Sequence, residues 1–209
     1  MTECVVRSNS LPGEVMSSTA VGTRDRILEV APDVLRRFTL AKFGMEDVAR
    51  SAGIARQTVY KHFASRDDLL IAMYVREMLE NQAPRMDVVI QREPSAENLL
   101  DVFMTELDLA RNYPWFDDTR EPGMGPRVAE MIFHSESMTR AREQIWFPIL
   151  QRYAHAGILR KDLNLSATVR WLTYQKFWLL FHPDVLSEDE LERREYVRQF
   201  IIAALVERT

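Results

Sequence analysis

Apolar residues recur three and four positions apart along nearly the whole chain, the spacing that gathers them on one face of an α-helix. No Asn-Gly or Asp-Gly pair separates alternating segments, so nothing signals a β-hairpin, and Val88-Val89-Ile90 is the one strand-like patch. Pro84, Pro94, Pro114, Pro122, Pro126, Pro148 and Pro183 mark where helices should end, start or kink, because proline lacks a backbone donor and clashes with the preceding turn. The pattern predicts about nine helices, near 23–38, 45–52, 55–62, 66–83, 95–112, a poorly defined stretch 115–120, 125–154, 166–181 and 187–207. The expected fold class is all-α, with no internal repeat.

The start of the fourth helix is the best defined. Ser65-Arg66-Asp67-Asp68 offers a capping hydroxyl followed by acids in the first turn, where exposed amides and the helix dipole favour negative charge. That helix should run out of the N-terminal part of the chain as a rigid connector.

Within that N-terminal part, from Met45 the chain reads MEDVARSAGIARQTVYKHF, with Ala49, then Gly53 four residues on, then Val59 six further. This is helix-turn-helix spacing. A small residue at 49 lets two helices approach, Gly53 permits the tight turn, and Val48, Ala52, Ile54 and Val59 seal the inner face. Arg56, Gln57, Thr58, Tyr60, Lys61 and His62 populate the second helix and point mostly outward. They are donors of long reach plus one aromatic, the types that meet phosphates and base edges in a major groove.

Charge sharpens this. The 209-residue chain carries a net charge of -4, yet residues 24–66 hold nine Lys/Arg against five acids, a local excess of +4, leaving -7 on residues 67–209. A basic head on an acidic body suits a nucleic-acid binder better than the total suggests.

Residues 24–70 resemble the DNA-binding domain of the TetR (tetracycline repressor) family, most recognisably in Gly53-Ile54-Ala55-Arg56-Gln57-Thr58-Val59-Tyr60-Lys61-His62-Phe63 followed by Ser65-Arg66. The resemblance implies an N-terminal three-helix DNA-binding domain (22–68) and a C-terminal helical ligand-binding and dimerisation domain (69–209), with 1–21 a disordered tail. It also implies a homodimer on a pseudo-palindromic double-stranded operator, released by a small molecule. Arg56, Gln57 and Thr58 would read bases, while Tyr60, Lys61 and His62 would hold phosphates. Arg66 would do the same where the family usually has lysine. Gly44 stands where the family usually has a capping threonine, which reduces that phosphate contact to a backbone amide. Pro32 falls inside the first helix, where it implies a kink or a late start.

The body keeps one echo of the family. Ala156-Gly157-Ile158-Leu159-Arg160-Lys161-Asp162-Leu163 resembles the turn before the two dimerisation helices, here 166–181 and 187–207. The first of these is apolar on both sides, with Trp171, Leu172, Trp178 and Leu179 on one stripe and Tyr174, Phe177 and Phe181 on another, so a partner subunit should cover part of it. On the last helix Val197, Ile201, Ala204 and Leu205 form a similar face.

Phe103, Trp115, Phe116, Met131, His134, Trp146 and Tyr174 come from different helices and together fit an apolar cavity for a hydrophobic or aromatic effector. Each also fits plain core packing, and His134 reads equally as a boundary histidine. Residues 112–118, followed by Pro122 and Gly123, read as an irregular entrance to that cavity.

Other classes find little support. No phosphate loop, nucleophile elbow or dinucleotide fingerprint occurs, so no enzyme and no cofactor is expected. His62, His134, His155 and His182 are too scattered for a metal site. The single Cys4 excludes an intrachain disulfide, and no segment has a membrane-spanning apolar run. A bacterial cytoplasmic location, on the nucleoid when DNA is bound, follows as an expectation. The alternative keeps the DNA-binding head but makes the body an effector-free protein-interaction module.

Overall fold

The computed structural model describes residues 22–113, 116, 124–182 and 189–207. Among the described residues every regular element is helical, apart from an isolated antiparallel bridge between Leu159 and Val206. The expected tail at 1–21 and the expected start of the last helix at 187 lie outside the described residues, and of the stretch 115–120 only Phe116 lies inside them.

The head is α1 (Thr23–Arg37), α2 (Met45–Ala52) and α3 (Arg56–His62). α1 buries Ile27, Leu28, Ala31, Val34 and Leu35 and packs against α2 through Val48, Ala49 and Ala52. Because α1 begins at Thr23, Pro32 sits in the helix interior rather than in its first turn, where proline ordinarily costs about 3 kcal/mol.

α4 (Arg66–Glu77) starts where expected, with Ser65 Oγ accepting the Asp68 N–H at 3.0 Å. It does not stop near Pro84. One π-turn (Met78–Gln82) follows, in which the Ala83 N–H reaches back five residues to the Met78 carbonyl, and α5 (Ala83–Ile90) continues. Pro84 cannot donate, and its ring would strike the carbonyl four residues back in an ordinary α-helix. Widening the turn before it removes the conflict, so the chain stays helical through Val88-Val89-Ile90 and the strand-like patch is helix.

In the body, α6 (Ala96–Arg111) is capped by Ser95, whose Oγ accepts the Asn98 N–H. The single helix expected at 125–154 is two, α7 (Met124–His134) and α8 (Glu136–His155). The break falls at Ser135, whose backbone is extended and whose hydroxyl accepts the Met138 N–H, turning a helix-interior residue into an N-cap. α9 (Leu165–Phe181) follows a cap at Asn164. α10 (Glu190–Phe200) ends seven residues earlier than the predicted 207. Beyond it a 3-10 turn (Ile202–Ala204) leads to backbone pairing, Arg160 N–H to Leu205 O and Glu207 N–H to Ile158 O. Along this course Ile201, Ile202 and Leu205 are all buried in the body core.

Two cores result. One lies within the body, around Leu99, Phe103, Leu107, Trp146, Leu150, Leu172 and Leu179. The other begins in the head, passes through Leu69, Leu70, Met73 and Tyr74 of α4, and continues into Val128 and Ile132 of α7, Met138 of α8 and Phe177 of α9. An ion-pair cluster ties α10 to α6, with Arg194 reaching Glu97 and Asp101 and Arg198 reaching Glu97.

Candidate nucleic-acid interface

The turn between α2 and α3 is fixed by Gly53, whose left-handed backbone (φ 63°) brings its N–H to the Ala49 and Arg50 carbonyls, while the Ile54 N–H also reaches Ala49 O. A Cβ on Gly53 would lie 3.1 Å from the Arg26 guanidinium. Val59 is fully buried against the first two helices, and this fixes which side of α3 faces out.

On the outward side Arg56, Gln57, Tyr60, Lys61 and His62 are exposed and Thr58 is half-buried. Arg56 donates to Tyr60 Oη at 3.4 Å with its guanidinium 5.4 Å from the ring centroid, one helical turn apart. The hydrogen bond to Tyr60 favours the charged form of Arg56, so this cation is held at the surface already shaped. Lys61 and His62 extend the basic end of α3. Gly44 is the N-cap of α2 without a side-chain bond, which leaves only backbone at that point.

Arg66 is placed differently from the other six side chains. It is half-buried, donates to the Leu40 carbonyl inside the head, and its Nε has no partner among the described residues. Burial lowers its pKa from the ordinary arginine value, with the nearby charge of Arg127 acting in the same direction.

The six effector-site candidates among the described residues do not converge. Phe103, Phe116 and Trp146 are packed in the body core, all less than a tenth exposed. Met131 is half-buried and shares a shallow surface cleft with the exposed His134, whose Nδ1 faces the Glu130 carbonyl. Tyr174 is half exposed on α9 and stacks on Phe133 at 4.2 Å. Trp115, like most of the expected entrance around it, lies outside the described residues.

Three charged residues in the body escaped the sequence reading. Lys176 and Glu106 form an ion pair at 2.7 Å with side chains 2% and 6% exposed, and Arg142 is buried nearby. Their signal was present: each interrupts an otherwise apolar helical stripe, as Lys176 does in the greasiest segment of the chain.

A helix-turn-helix with one helix displayed, rich in donors and carried on a basic head, defines a DNA-binding protein. Residues 27–73 match the family described as bacterial regulatory proteins, tetR family. An uncharacterised HTH-type transcriptional regulator of Mycobacterium tuberculosis is 26% identical over 182 residues, covering 85% of this chain and 83% of that protein. The HTH-type transcriptional repressor KstR2 of the same organism is 23% identical over 155 residues, covering 71% and 75%. Among solved structures, the transcriptional repressor QsdR of R. erythropolis, from the TetR family, superposes with a TM-score of 0.66 at 23% identity, over 90% of this chain and 96% of that one. Residues 27–73 are thus a DNA-binding domain of the tetR type, and the relatives that match most of the chain are transcriptional regulators.

Proposed function

We propose that the protein is a homodimeric repressor that holds a pseudo-palindromic operator through α3 of each subunit and releases it when a small molecule binds the body. The observation that carries this reading is the outward face of α3, where Arg56, Gln57, Tyr60 and Lys61 stand exposed on a helix locked from behind by Val59. In this reading Gln57, Thr58 and Arg56 meet base edges, while Tyr60, Lys61, His62 and the Gly44 amide meet phosphates. Arg66 joins them only by leaving Leu40. Two such helices must lie about 34–36 Å apart to enter successive major grooves. The repressor sense is supported by the names of KstR2 and QsdR.

The dimer forms through α9 and α10. Tyr174 and Trp178, one turn apart on α9, are each 50% exposed, and Leu191 and Phe200 on α10 are 76% and 61% exposed. Large apolar side chains left outside at this spacing suit a partner surface. The predicted stripes shift accordingly. Leu172, Phe177 and Leu179 turn into the subunit, as do Val197, Ile201 and Leu205, leaving Tyr174, Trp178, Leu191 and Phe200 for the partner.

A second reading has a specific observation in its favour: the close packing of Phe103, Phe116 and Trp146 suits a body that is an interaction module without an effector. Among the described residues no helix is long and apolar enough to cross a membrane, and the reading places the protein on nucleoid DNA in the cytoplasm.

In vitro selection from random duplex DNA, run beside sedimentation of the free protein, tests the reading. A palindrome should be enriched by a species of twice the chain mass, and Trp178→Glu should halve that mass and weaken binding. Enrichment of no sequence, or a monomer that binds as tightly as wild type, refutes it.

A further inference from the structure

The charges buried in the body do not balance. Glu106 is spent on Lys176 at 2.7 Å, and among the described residues no ion pair joins Arg142 to Glu106 or to Glu143. Arg142 is nonetheless only 6% exposed. Of its five N–H donors, one meets the Ile132 carbonyl at a long 3.5 Å and one meets Thr139 Oγ1 at 3.2 Å. Burying a guanidinium with so few acceptors is costly, and a fold retains such a group where something else completes it.

Arg142 lines a pocket of about 190 Å³ between α7, α8 and α9. Thr139, Ser166 and Thr173 contribute to its wall, and the stacked rings of Phe133 and Tyr174 form an apolar side. Arg170 adds a second cation and Glu143 one anion, so the lining is net positive. The volume is below that of a drug-sized cavity and suits the head of a ligand.

We infer that this pocket binds the carboxylate of a small organic acid, with Arg142 as the buried anion receptor and the Phe133–Tyr174 pair against the acid's apolar part. The planar guanidinium matches a carboxylate in two parallel hydrogen bonds, and Ser166 adds a hydroxyl to the wall, while the Thr139 and Thr173 hydroxyls donate to the Ser135 and Val169 carbonyls. The site lies apart from the Phe103–Trp146 core and shares Tyr174 with the effector residues expected from the sequence. It deepens the effector reading proposed above and rests on it for any coupling to DNA. The pocket borders Tyr174, on the α9 face assigned to the dimer, so an occupant there would bear directly on subunit packing.

Calorimetric titration of the full chain without DNA tests the site, with benzoate and octanoate as probes and benzamide and octanamide as their neutral counterparts. At least one carboxylate should bind ten-fold or more tighter than its amide, and Arg142→Met should lose that preference. Arg142→Lys keeps the charge but loses the fork. It should bind about three- to ten-fold more weakly, and it carries the test should Arg142→Met not fold. If neither carboxylate binds wild type, or if both variants bind as wild type does, the inference falls. Adding labelled operator separates the two proposals. Binding that depends on Arg142 but leaves the operator bound sinks the effector reading and spares the pocket, whereas release by some other molecule, with no carboxylate bound, does the reverse.

Discussion

Replacing Lys176 with methionine should be among the most damaging single changes in the body. The ammonium sits 2.7 Å from Glu106 with both side chains almost wholly buried, so its removal leaves a buried carboxylate without its paired cation, with only the more distant charge of Arg142 nearby. Breaking such a pair from one side typically costs about 3–5 kcal/mol. That is a large share of the roughly 5–15 kcal/mol that holds a domain together. At about 2–4 °C per kcal/mol for a chain of this size, the melting temperature should fall by about 6–20 °C. The double variant Lys176→Met with Glu106→Leu removes both charges and keeps the volume, and should recover to within about 1 kcal/mol of wild type or better. Urea unfolding at one fixed protein concentration measures all four corners of this cycle. The pH dependence gives an independent check. Burial is the largest single influence and works against the charged lysine, but the charge of Glu106, the nearby Tyr74 and the hydrogen bond to Glu106 together outweigh it, and the net pKa of Lys176 is raised. The stabilisation is therefore present in full below the unfolded lysine pKa of about 10.4 and is lost as pH climbs through the folded value, so wild type should lose its margin over the single variant there. A single variant within 1 kcal/mol of wild type, or a double variant no better than the single, refutes the argument that a matched buried pair is at work.

Three further outcomes follow from other parts of the fold. Gly53→Ala forces a side chain into the left-handed region beside Arg26; it should cost about 1–2 kcal/mol, read as a melting temperature about 2–8 °C lower, and no loss would mean the turn is not held as described. Glu97 has its pKa lowered, first by the hydrogen bond from Arg194, so its contribution is present above the ordinary carboxylate pKa and is lost as pH falls through the lower folded value. Protection of the α10 amides, taken relative to intrinsic exchange at each pH, should fall as Glu97 is protonated in wild type, and Glu97→Gln should show the lower protection already at neutral pH. On selected operator DNA, Gln57→Ala should cost about 1–3 kcal/mol for the specific site alone, whereas Lys61→Ala should weaken all sequences and reduce the slope of affinity against salt by about one; equal effects on both kinds of DNA would reverse these roles.

The head was legible because its constraints are local. Ala49, Gly53 and Val59 stand at spacings that a tight two-helix turn requires, and Ser65 before Asp67 and Asp68 is a cap that reads the same in one dimension as in three. The body was less so. Pro84 looked like a helix end because proline breaks an α-helix, yet a π-turn accommodates it, and nothing in residues 78–82 announces that choice. Ser135 became a cap only because the chain turns there to lay α7 and α8 side by side, which is a tertiary decision. The early end of α10 has the same origin: the chain after it pairs through Leu205, Val206 and Glu207 with the 158–160 turn, a contact more than forty residues away in sequence. Aromatic composition pointed to an effector site that included Phe103, Phe116 and Trp146 beside Trp115, Met131, His134 and Tyr174, but large rings are also what fill a core. The buried charges Glu106, Arg142 and Lys176 carry more information because they are costly where they lie.

The second hydrophobic core, which passes from Ile27 and Leu28 through α4 to Val128, Ile132, Met138 and Phe177, bears on how such proteins can be recombined. A head cut off after residue 68 would leave Leu69, Leu70 and Met73 behind and expose the apolar surface they cover. Fused to another body, it would have to find equivalents of Val128, Ile132 and Phe177 on the new scaffold. A chimaera that exchanges DNA specificity therefore has to bring α4 and the facing surface of α7 along with the reading helix, or else change only the outward residues of α3 and leave the seam intact.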